Sequence, residues 1–463
     1  MGMKGFLGYH SEWNLGSPGG WEYQRMTQEL GKRCWDRIQS RGRVSVQLDF
    51  SHPLLNPMSG FTGMLLRAHK RRFGNQSPFI LLVAEEETLD KVIENQNLVK
   101  TLCSMDGVGS ALAAPHEVEL SHGEVTFKGK RVTGIFMDFN TDTLMALHHR
   151  HDLSPLIEAI TQGILVNPRG MEAVNAKGIF EVATGPCRTL LSATTVERTP
   201  WTRRFGPRAT TGPDGSPIHD LVEWTRSRKA ETVLKPEHGY SGHGVYVGPL
   251  TADWDAAIEA ALNEGDYIVQ AFIPLGLWTE EQPWVDHETR SVRIRQWQTD
   301  FRCLITDQGL IGFVGRFGGV PTNVGSGGGV QPIALLRSRM SVKEATDRIN
   351  QAVCALGYEF GQELREEMDR EAVGLGLTYL LGPIMTALRP RLITRGQLRA
   401  LQEYSSNLWS DCITLERVWR EGRLRQYFPI HPEIEEIFRI QPWEGSPALM
   451  ASDGLLSFGA HIG

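Results

Sequence analysis

The chain has 463 residues, about three domains' worth, and a formal net charge of −6. A mildly acidic chain has no general electrostatic attraction to nucleic acid or anionic lipid, so the composition argues against a protein that coats either one. Hydrophobic residues make up 41% and charged residues 22%, which is typical of a globular protein with a sizeable core.

Apolar runs are short. The longest, over 79–84 and 373–384, do not reach the roughly 20 residues that a helix needs to cross a bilayer. The six cysteines are scattered without the spacing of a zinc site or a disulfide scaffold. The first residues lack the apolar core of a signal peptide. We therefore expect a reduced, cytoplasmic protein with neither a membrane nor a nucleic-acid partner.

Strands and helices alternate in the first third of the chain. Residues 1–75 are rich in Gly, Trp and Pro, and their N-terminal stretch is rich in turns. Periodicity then predicts a strand over 43–50, a helix over 64–73, a buried strand over 77–84, a helix over 85–104 and two strands within 117–138. This order predicts an N-terminal α/β domain over 1–140.

After residue 140 the predicted secondary structure changes twice, from helices to short strands and back to helices. Helices are predicted over 153–165, 171–195 and 218–230, separated by a long loop over 199–217. Short strands with glycine-rich turns follow to residue 332, then helices over 341–369, 397–421 and 431–438, and short strands over 450–463. We expect a mixed α/β or α+β fold with further units at 141–232, 233–335 and 336–463, the last mainly helical.

A glycine-rich hairpin is the strongest local signal. The segment TVLKPEHGYSGHGVYVG runs from Thr232 to Gly248 and reads as a strand, a turn and a second strand. Glycines in the turn let backbone N–H groups approach phosphate oxygens, and Lys235 adds a point charge. A Walker loop is excluded because no GxxxxGK[ST] occurs. A plain hairpin with a glycine turn is the alternative.

Two further segments carry polar groups on predicted strands. The strand DYIVQAFIP places Gln270 and Phe272 where they would meet an adenine edge, although an ordinary core strand has the same pattern. The hairpin TDFRCLITDQGLIGFVGR places Asp300 and Arg302 on one strand and Arg316 on the next. Pairing would bring the arginines together, as a transferring phosphoryl group requires. The alternative is a pair of solvated hairpin charges.

In this order, the glycine hairpin, the Gln strand, the Asp-x-Arg hairpin and the loop FGGVPTNVGSGGG resemble the ATP-grasp superfamily. The resemblance is more specific to its permuted branch, which is like glutathionylspermidine synthase. It implies an ATP-grasp fold preceded by a pre-ATP-grasp-like α/β domain, and it covers about 138–335. Upstream, LVNPRGMEAVNAKGIFEV matches the family's first nucleotide-contacting lysine at Lys177.

These arguments together predict the following site. ATP is bound by Lys177, Lys235, Gly239, Ser241, Gly242, Gly244, Gln270 and Phe272. Catalysis is assigned to Lys235, Arg302 and Arg316. Substrate binding is assigned to Arg203, Asn323, Gly327 and Gly328, although Arg203 lies in a loop whose arginines are equally consistent with a solvated surface.

The metal ligands are the least determined part of the site. The family holds two Mg²⁺ through a strand Asp and a Glu-x-Asn pair, because hard cations need oxygen ligands besides phosphate. The only literal Glu-x-Asn match starts at Glu12, where we predict no strand. We therefore name Asp300, Asp49 and Asp453 as candidates. The last belongs to a C-terminal Asp-Gly segment that is either a further permutation or the start of something incomplete.

The resemblance implies a ligase that joins a small carboxylate to an amine at the expense of ATP, through an acyl phosphate. Substrates would be small and amino-acid-like. One alternative is a nucleotide-binding pseudoenzyme or partner subunit that lacks a full set of metal carboxylates. Another is a phosphotransferase that never forms an amide. The oligomeric state stays open, with a homodimer as one alternative.

Overall fold

Helices occur throughout the chain in the computed structural model, which describes residues 8–42, 44–238, 244–379 and 382–453. In chain order the helices are α1 (Trp21–Gly42), α2 (Pro57–Phe73), α3 (Ile93–Cys103), α4 (Thr141–His148), α5 (Ser154–Thr161), α6 (Ile179–Ala183), α7 (Ala193–Arg198), α8 (Leu221–Ser227), α9 (Trp254–Glu264), α10 (Val342–Ala355), α11 (Gly357–Leu375), α12 (Arg395–Arg420) and α13 (Pro432–Ile440).

The strands are mostly short, apart from one long hairpin. They are β1 (Glu12–Asn14), β2 (Leu48–Asp49), β3 (Phe79–Val83), β4 (Gly109–Ala113), β5 (Glu119–Ser121), β6 (Glu124–Phe127), β7 (Lys130–Arg131), β8 (Gly134–Met137), β9 (Leu165–Val166), β10 (Thr202–Arg204), β11 (Thr210–Thr211), β12 (Pro217–Ile218), β13 (Thr232–Pro236), β14 (Tyr246–Val247), β15 (Tyr267–Ala271), β16 (Thr279–Asp286), β17 (Ser291–Thr306), β18 (Gly309–Gly318), β19 (Gly329–Gln331), β20 (Ile333–Leu336), β21 (Thr378–Tyr379), β22 (Gly382–Pro383), β23 (Arg391–Ile393) and β24 (Met450–Asp453). The expected mixture of α and β structure is confirmed.

A parallel sheet of order β4-β3-β8-β9 forms the N-terminal layer. Both faces of β3 are covered, which explains its unbroken apolar run from Ile80 to Val83. The predicted helix over 85–104 is wrong in its first half, since α3 begins only at Ile93. Glu94 lies in the first turn of α3. Its carboxylate accepts hydrogen bonds from the backbone N–H groups of Gly20, Glu22 and Tyr23, at the start of α1, at 2.9–3.2 Å.

Helix α1 was not predicted from the sequence. Its buried side includes Met26, Leu30, Cys34 and Ile38, at the spacing of one helix face. Charged side chains cover the opposite face. Most of the glycines that suggested turns precede Trp21, but Gly31 lies within the helix, where a Cβ would meet Pro332. The average composition of this region therefore concealed a 22-residue amphipathic helix.

The central element is an antiparallel sheet of order β1-β24-β17-β18-β19, with β16 paired to the free end of β17. The predicted Asp-x-Arg hairpin is confirmed, with Asp300 opposite Arg316 and Arg302 opposite Val314. β24 lies between β1 and β17, so strands from both ends of the described chain complete this sheet. The division into four domains stays a prediction.

A second antiparallel sheet has the order β10-β15-β13-β14. The predicted strand-turn-strand around Lys235 is confirmed by the pairing of β13 with β14. Helix α9 covers this sheet with Trp254 and Ile258, which pack against Leu234 and Val269. The predicted loop over 199–217 contains the strands β10 to β12, because Thr202–Arg204 adds to the free side of β15.

The C-terminal third is mainly helical, as predicted. The expected helix over 341–369 is two helices, because Gly357 has a left-handed φ of 78° at the break between α10 and α11. The predicted strand over 43–50 shortens to β2, which pairs with β20. No helix within the described ranges is both long and apolar enough to cross a membrane.

Candidate nucleotide-binding site

A cavity of about 210 Å³ lies between the sheet that carries β13 and the sheet that carries β17. Residues that are far apart in the sequence meet on its wall. Of the predicted site residues, it brings together Lys177, Lys235, Gln270, Phe272, Asp300, Arg316 and Asn323. The Gly-rich hairpin, the Gln strand and the Asp-x-Arg hairpin therefore share one cleft.

One side of the cavity is apolar. Its lining side chains are Val233, Val245, Val247, Ala271, Phe272, Ile273 and Trp278. Trp278 is fixed in place because its indole N–H donates to the carbonyl of Ile273, at 3.2 Å. A cleft with an apolar wall at one end and charged groups at the other suits a ligand with a flat ring and an anionic tail.

Lys235 extends from β13 into the cavity. Its ammonium group donates to the side-chain oxygen of Gln270 at 2.8 Å and to the carbonyl of Ser11 at 3.4 Å. Burial, together with the charge of Lys177, lowers the pKa of Lys235 to about 8, against the opposing effect of Glu12. The amide of Gln270 donates in turn to Thr202, at 3.0 Å. Gln270 therefore orients the lysine, and its predicted contact with adenine stays a prediction.

Lys177 approaches the same space from the loop before α6. Its ammonium nitrogen lies 3.6 Å from a carboxylate oxygen of Glu12, whose side chain is 40% exposed. Glu12 therefore pairs with Lys177 and also favours the charged form of Lys235. Such a group of charges can exchange partners when an anionic ligand enters, because phosphate oxygens would attract both ammonium groups.

At the other side of the cavity, four side chains form a closed network. Asp300 accepts hydrogen bonds from Nε and Nη2 of Arg316, at 2.8 Å each, and from the hydroxyl of Thr322, at 2.6 Å. Arg316 also donates to the amide oxygen of Asn323 at 3.0 Å, which leaves the NH₂ group of that amide for another acceptor. Burial disfavours the charge of Arg316, but Asp300 prevails and raises its pKa.

A row of charged side chains crosses one face of the central sheet. Strand register and pairing place in this row Glu12, Asp453, Arg302, Asp300 and Arg316. Arg302 binds Asp453 with both ends of its guanidinium, the longer contact being 2.8 Å, and donates to the carbonyl of Gly19 at 2.9 Å. Arg302 does not line the 210 Å³ cavity, but it lies two residues from Asp300, which does.

The Glu12-Trp13-Asn14 segment forms a strand, contrary to our expectation of turns. Glu12 lies directly opposite Asp453, while Trp13 is buried on the other face. The polar-apolar-polar alternation was the available signal, but three residues are too few to predict a strand. The side-chain oxygen of Asn14 is buried and has no hydrogen-bond partner among the described residues.

A buried hydrogen-bonded chain supports this pair of strands from behind. His10 joins the hydroxyls of Tyr404 and Thr199, at 2.9 and 2.7 Å, and Tyr404 continues to Ser452, at 2.5 Å. Burial and the charge of Arg198 lower the pKa of His10 to about 3, so this imidazole stays neutral. The chain fixes the residues next to Glu12 and Asp453.

The side-chain oxygens on β1 and β24 are suitable ligands for a magnesium ion that also binds phosphate. No three Asp, Glu, His or Cys side chains in the described part of the chain form a ready-made metal cage. Mg²⁺ rarely needs one, because it usually combines one or two carboxylates with substrate phosphates and water. Glu12, Asp453 and the unpartnered oxygen of Asn14 supply such a partial set on two adjacent strands.

Other predicted site residues lie elsewhere or do not face the cavity. Asp49 is in the sheet of β2, β20 and β23, where it accepts from Arg337 at 2.6 Å. Arg203 is buried and donates to hydroxyls of Thr184, Thr210 and Thr211, so it holds the 199–217 segment in place. Their predicted roles with metal and substrate stay predictions.

Only some of the glycines predicted for the site lie within the described residues. Gly239, Ser241 and Gly242 lie outside the described residues. Gly244 has a φ of 70°, and a Cβ there would lie 2.8 Å from the hydroxyl of Tyr267, so only glycine fits without strain. Gly327 and Gly328 follow Asn323 in a tight turn, in which the Gly328 N–H donates back to the Asn323 carbonyl at 3.0 Å. Neither of these two lines the cavity.

No family model and no curated protein matches the chain. Similar solved structures include a glutathione synthetase-like effector from Globodera pallida in the apo form, with 12% identity and a TM-score of 0.40, covering 66% of this chain and 63% of that one. The chain thus spans less than two thirds of the effector's length.

Two further solved structures are similar over part of the chain. An ATP-grasp RimK domain protein from Sphaerobacter thermophilus has 15% identity and a TM-score of 0.26, covering 50% of this chain and 71% of that one. A putative gamma-glutamylcysteine synthetase from Methylobacillus flagellatus has 13% identity and a TM-score of 0.31, covering 75% and 96%. The function proposed for this chain therefore rests on the residues of its own cavity.

Proposed function

We propose that the chain is an ATP-grasp ligase, which uses ATP and Mg²⁺ to join a small carboxylate to an amine. The observation that carries the proposal is the single cavity whose wall combines Lys177 and Lys235 with Asp300, Arg316 and Asn323. Short motifs that are separately ambiguous in the sequence meet there, and their charges suit a nucleoside triphosphate.

The nucleotide would lie with its base against the apolar wall and its phosphates towards the lysines. Phe272 and Ile273 belong to the connection after β15 and line the cavity. The Phe272 N–H already donates to the Glu231 carbonyl and the Ile273 carbonyl accepts from Trp278, so the base edge would meet the Phe272 carbonyl and the Ile273 N–H. Lys235 would exchange the neutral amide of Gln270 for a phosphate oxygen. Lys177 would likewise exchange its long contact with Glu12 for a shorter, charge-assisted hydrogen bond to phosphate. Gly244 lets the chain pass close to β15 without a Cβ.

The metal would be held by Glu12, Asn14 and Asp453. A divalent ion there would offset the negative charge of the phosphates and help to orient them. Arg302 already neutralises Asp453, so the carboxylate that is not paired with an arginine, Glu12, would contribute most to the ion.

Arg316 and Asn323 would act on the reacting groups. Arg316 is held on the cavity wall by Asp300, and its charge would offset the negative charge that develops on a transferring phosphoryl group. The amide NH₂ of Asn323 is turned away from Arg316, since its oxygen accepts from that side chain. It would donate to a substrate carboxylate oxygen and place it beside the phosphates.

The positions of β1 and β24 support a permuted form of the ATP-grasp arrangement. Glu12 comes from the start of the chain and Asp453 from the end of its described part, yet they are opposite each other in one sheet. The Asp-Gly segment at 453 would thus continue the domain that the N-terminal Glu-x-Asn completes. A branch similar to glutathionylspermidine synthase is the form of this proposal that the sequence favours.

A nucleotide-binding pseudoenzyme is the second candidate. It is favoured by the bidentate pairing of Asp300 with Arg316 and of Asp453 with Arg302, because each pair leaves less negative charge for a metal. Such a protein would bind ATP in the same cavity without transferring its phosphoryl group.

Phosphate release distinguishes these functions. The full chain is incubated with ATP, Mg²⁺ and a panel of small carboxylates and amines, and phosphate is measured. Release that needs both a carboxylate and an amine, and that is lost in Lys235→Met, supports the ligase. The matched control is Lys343→Met, an exposed lysine on α10 that pairs with Asp347 on the next turn of the helix.

The other outcomes assign the remaining functions. ATP binding without turnover across the panel would favour the pseudoenzyme. A stable phosphorylated product with no amide would indicate a phosphotransferase. Failure of the wild-type chain to bind ATP at all would refute the ligase and the pseudoenzyme together.

A further inference from the structure

A second cavity, of about 60 Å³, lies between the hairpin of β16 and β17, helix α11 and the segment that precedes β23. Among the described residues, it shares no lining side chain with the nucleotide cavity. A space of this size holds about four to six water-sized groups, so it would admit a small organic group. The chemistry of its wall indicates which group that would be.

Aromatic rings form the apolar wall of this cavity. The ring centres of Trp284 and Trp297 are 5.3 Å apart, and Phe317 lies at 84° to Trp297 with its ring centre at 5.5 Å. The guanidinium of Arg295 stacks on Trp297, 4.0 Å from its ring centre, and holds the indole in place. Such a wall suits a short alkyl chain.

Hydrogen-bond donors form the polar part of the wall. The indole N–H of Trp297 is buried and has no partner among the residues that the structure describes. Because an indole N–H can only donate, it calls for a ligand with an acceptor. Arg365 donates to the Thr386 carbonyl at 2.7 Å and pairs with Asp369 at 3.2 Å. A guanidinium has five N–H groups, so others remain for a ligand.

The charges around the cavity favour an anion. None of its described lining residues is acidic, whereas Arg365 is a cation. The other ionisable or amide side chains on the wall already have partners. Gln282 donates to Glu280 at 3.4 Å, and Nδ1 of His287 lies 2.9 Å from the hydroxyl of Tyr358. A positively charged ligand would therefore face Arg365 without a carboxylate on the wall to compensate it.

We propose that this cavity binds a short-chain monocarboxylate of about two to four carbon atoms. Its carboxylate would accept from Arg365 and from the indole N–H of Trp297, in charge-assisted hydrogen bonds. Its alkyl chain would lie against Trp284 and Phe317.

The strand register separates this ligand from the nucleotide. Trp297 precedes Asp300 by three residues on β17, and Phe317 follows Arg316 on β18. Successive side chains of a strand point to opposite faces, so both aromatic rings lie on the face of the hairpin away from the Asp300–Arg316 pair. The carboxylate bound here is thus a second ligand, distinct from the substrate of the proposed ligase.

The test is a titration of the full chain with propionate, without nucleotide, followed by ligand-observed NMR. Propionamide has the same shape without the charge, so we expect propionate to bind at least about tenfold more tightly. Arg365→Met should weaken propionate binding by about tenfold or more for the same reason. The matched control is Arg348→Met, an exposed arginine on α10 that pairs with Glu344 and should leave the affinity unchanged.

A second variant keeps the test independent of folding, because Arg365 also holds the Thr386 segment in place. Trp297→Phe retains an aromatic ring and removes an N–H that has no partner in the described structure. We expect an unchanged unfolding temperature and a several-fold weaker affinity for propionate. Wild-type affinity in this variant would contradict the proposed contact.

The lysines of the nucleotide cavity are the alternative site for propionate, and Lys235→Met distinguishes the two. We expect this variant to bind propionate as the wild type does. Loss of binding in Lys235→Met, with wild-type binding in Trp297→Phe, would overturn the proposal. Equal affinities for propionate and propionamide would also overturn it and leave water as the occupant. ATP binding is measured separately, so a failure of the proposed ligase function would not alter the propionate result.

Discussion

The protonation of Lys235 gives the sharpest prediction about nucleotide binding. Its ammonium group lies in a cavity wall, near Lys177, and these surroundings lower its pKa to about 8 from the usual 10.5. Phosphate oxygens would favour the charged form, so ATP should bind chiefly to the protonated lysine. The affinity for ATP should therefore be highest well below pH 8 and should fall as the pH rises through 8.

The size of the effect follows from that pKa. At pH 7 about nine in ten Lys235 side chains carry the proton, and at pH 9 about one in ten do. If only the protonated form binds, the dissociation constant for ATP rises about tenfold between these values, which is about 1.4 kcal/mol. An unshifted lysine would stay charged over the whole interval and show no such change.

The assay is a calorimetric titration of a non-hydrolysable ATP analogue between pH 7 and pH 9.5. Wild-type protein should show the tenfold loss. Lys235→Arg keeps its charge at every pH in this range, so its affinity should not vary with pH, whatever its absolute value. Lys235→Met should bind weakly throughout, while the exposed-site control Lys343→Met should reproduce the wild-type curve.

Two results would refute the reasoning. A wild-type affinity that stays constant to pH 9.5 would mean that Lys235 does not contact the phosphates or keeps an ordinary pKa. A Lys235→Arg curve that falls as steeply as the wild-type curve would assign the pH dependence to another group.

Three predictions concern stability. Asp300→Asn leaves Arg316 without its buried counter-charge, so denaturant titration should show a loss of about 3–5 kcal/mol, and a loss under 1 kcal/mol would contradict the pairing. Tyr404→Phe removes the hydroxyl that bonds His10, which should cost about 1–3 kcal/mol in urea unfolding; an unchanged midpoint would contradict it. Ile258→Ala empties a fully buried site under β13, with an expected cost of about 2–5 kcal/mol by the same method.

Local patterns predicted the hairpins well. The segment around Lys235 and the segment from Asp300 to Arg316 each carry their own turn glycines and apolar alternation, so their pairing depends on nearby residues only. Helices α12 and α13 were predicted within a few residues for the same reason, since their apolar spacing is regular.

Elements with mixed composition were predicted poorly. The amphipathic α1 was missed because a glycine-rich approach precedes it, and β1 was missed because three residues show no measurable period. Arg203 illustrates a different limit. Its charge suggested a substrate carboxylate, yet nearby threonine hydroxyls occupy its guanidinium in the folded chain.

The amino-acid sequence by itself determined the chemistry that is available, namely two lysines, an Asp-x-Arg hairpin and a Glu-x-Asn triplet. Only the tertiary structure decided which of these groups meet. Placing Glu12 opposite Asp453 depends on a strand pairing across 441 residues, and no local pattern encodes such a contact. That pairing forms because each strand needs a hydrogen-bonded neighbour once the central sheet is buried, and the partner is chosen by packing of the whole chain.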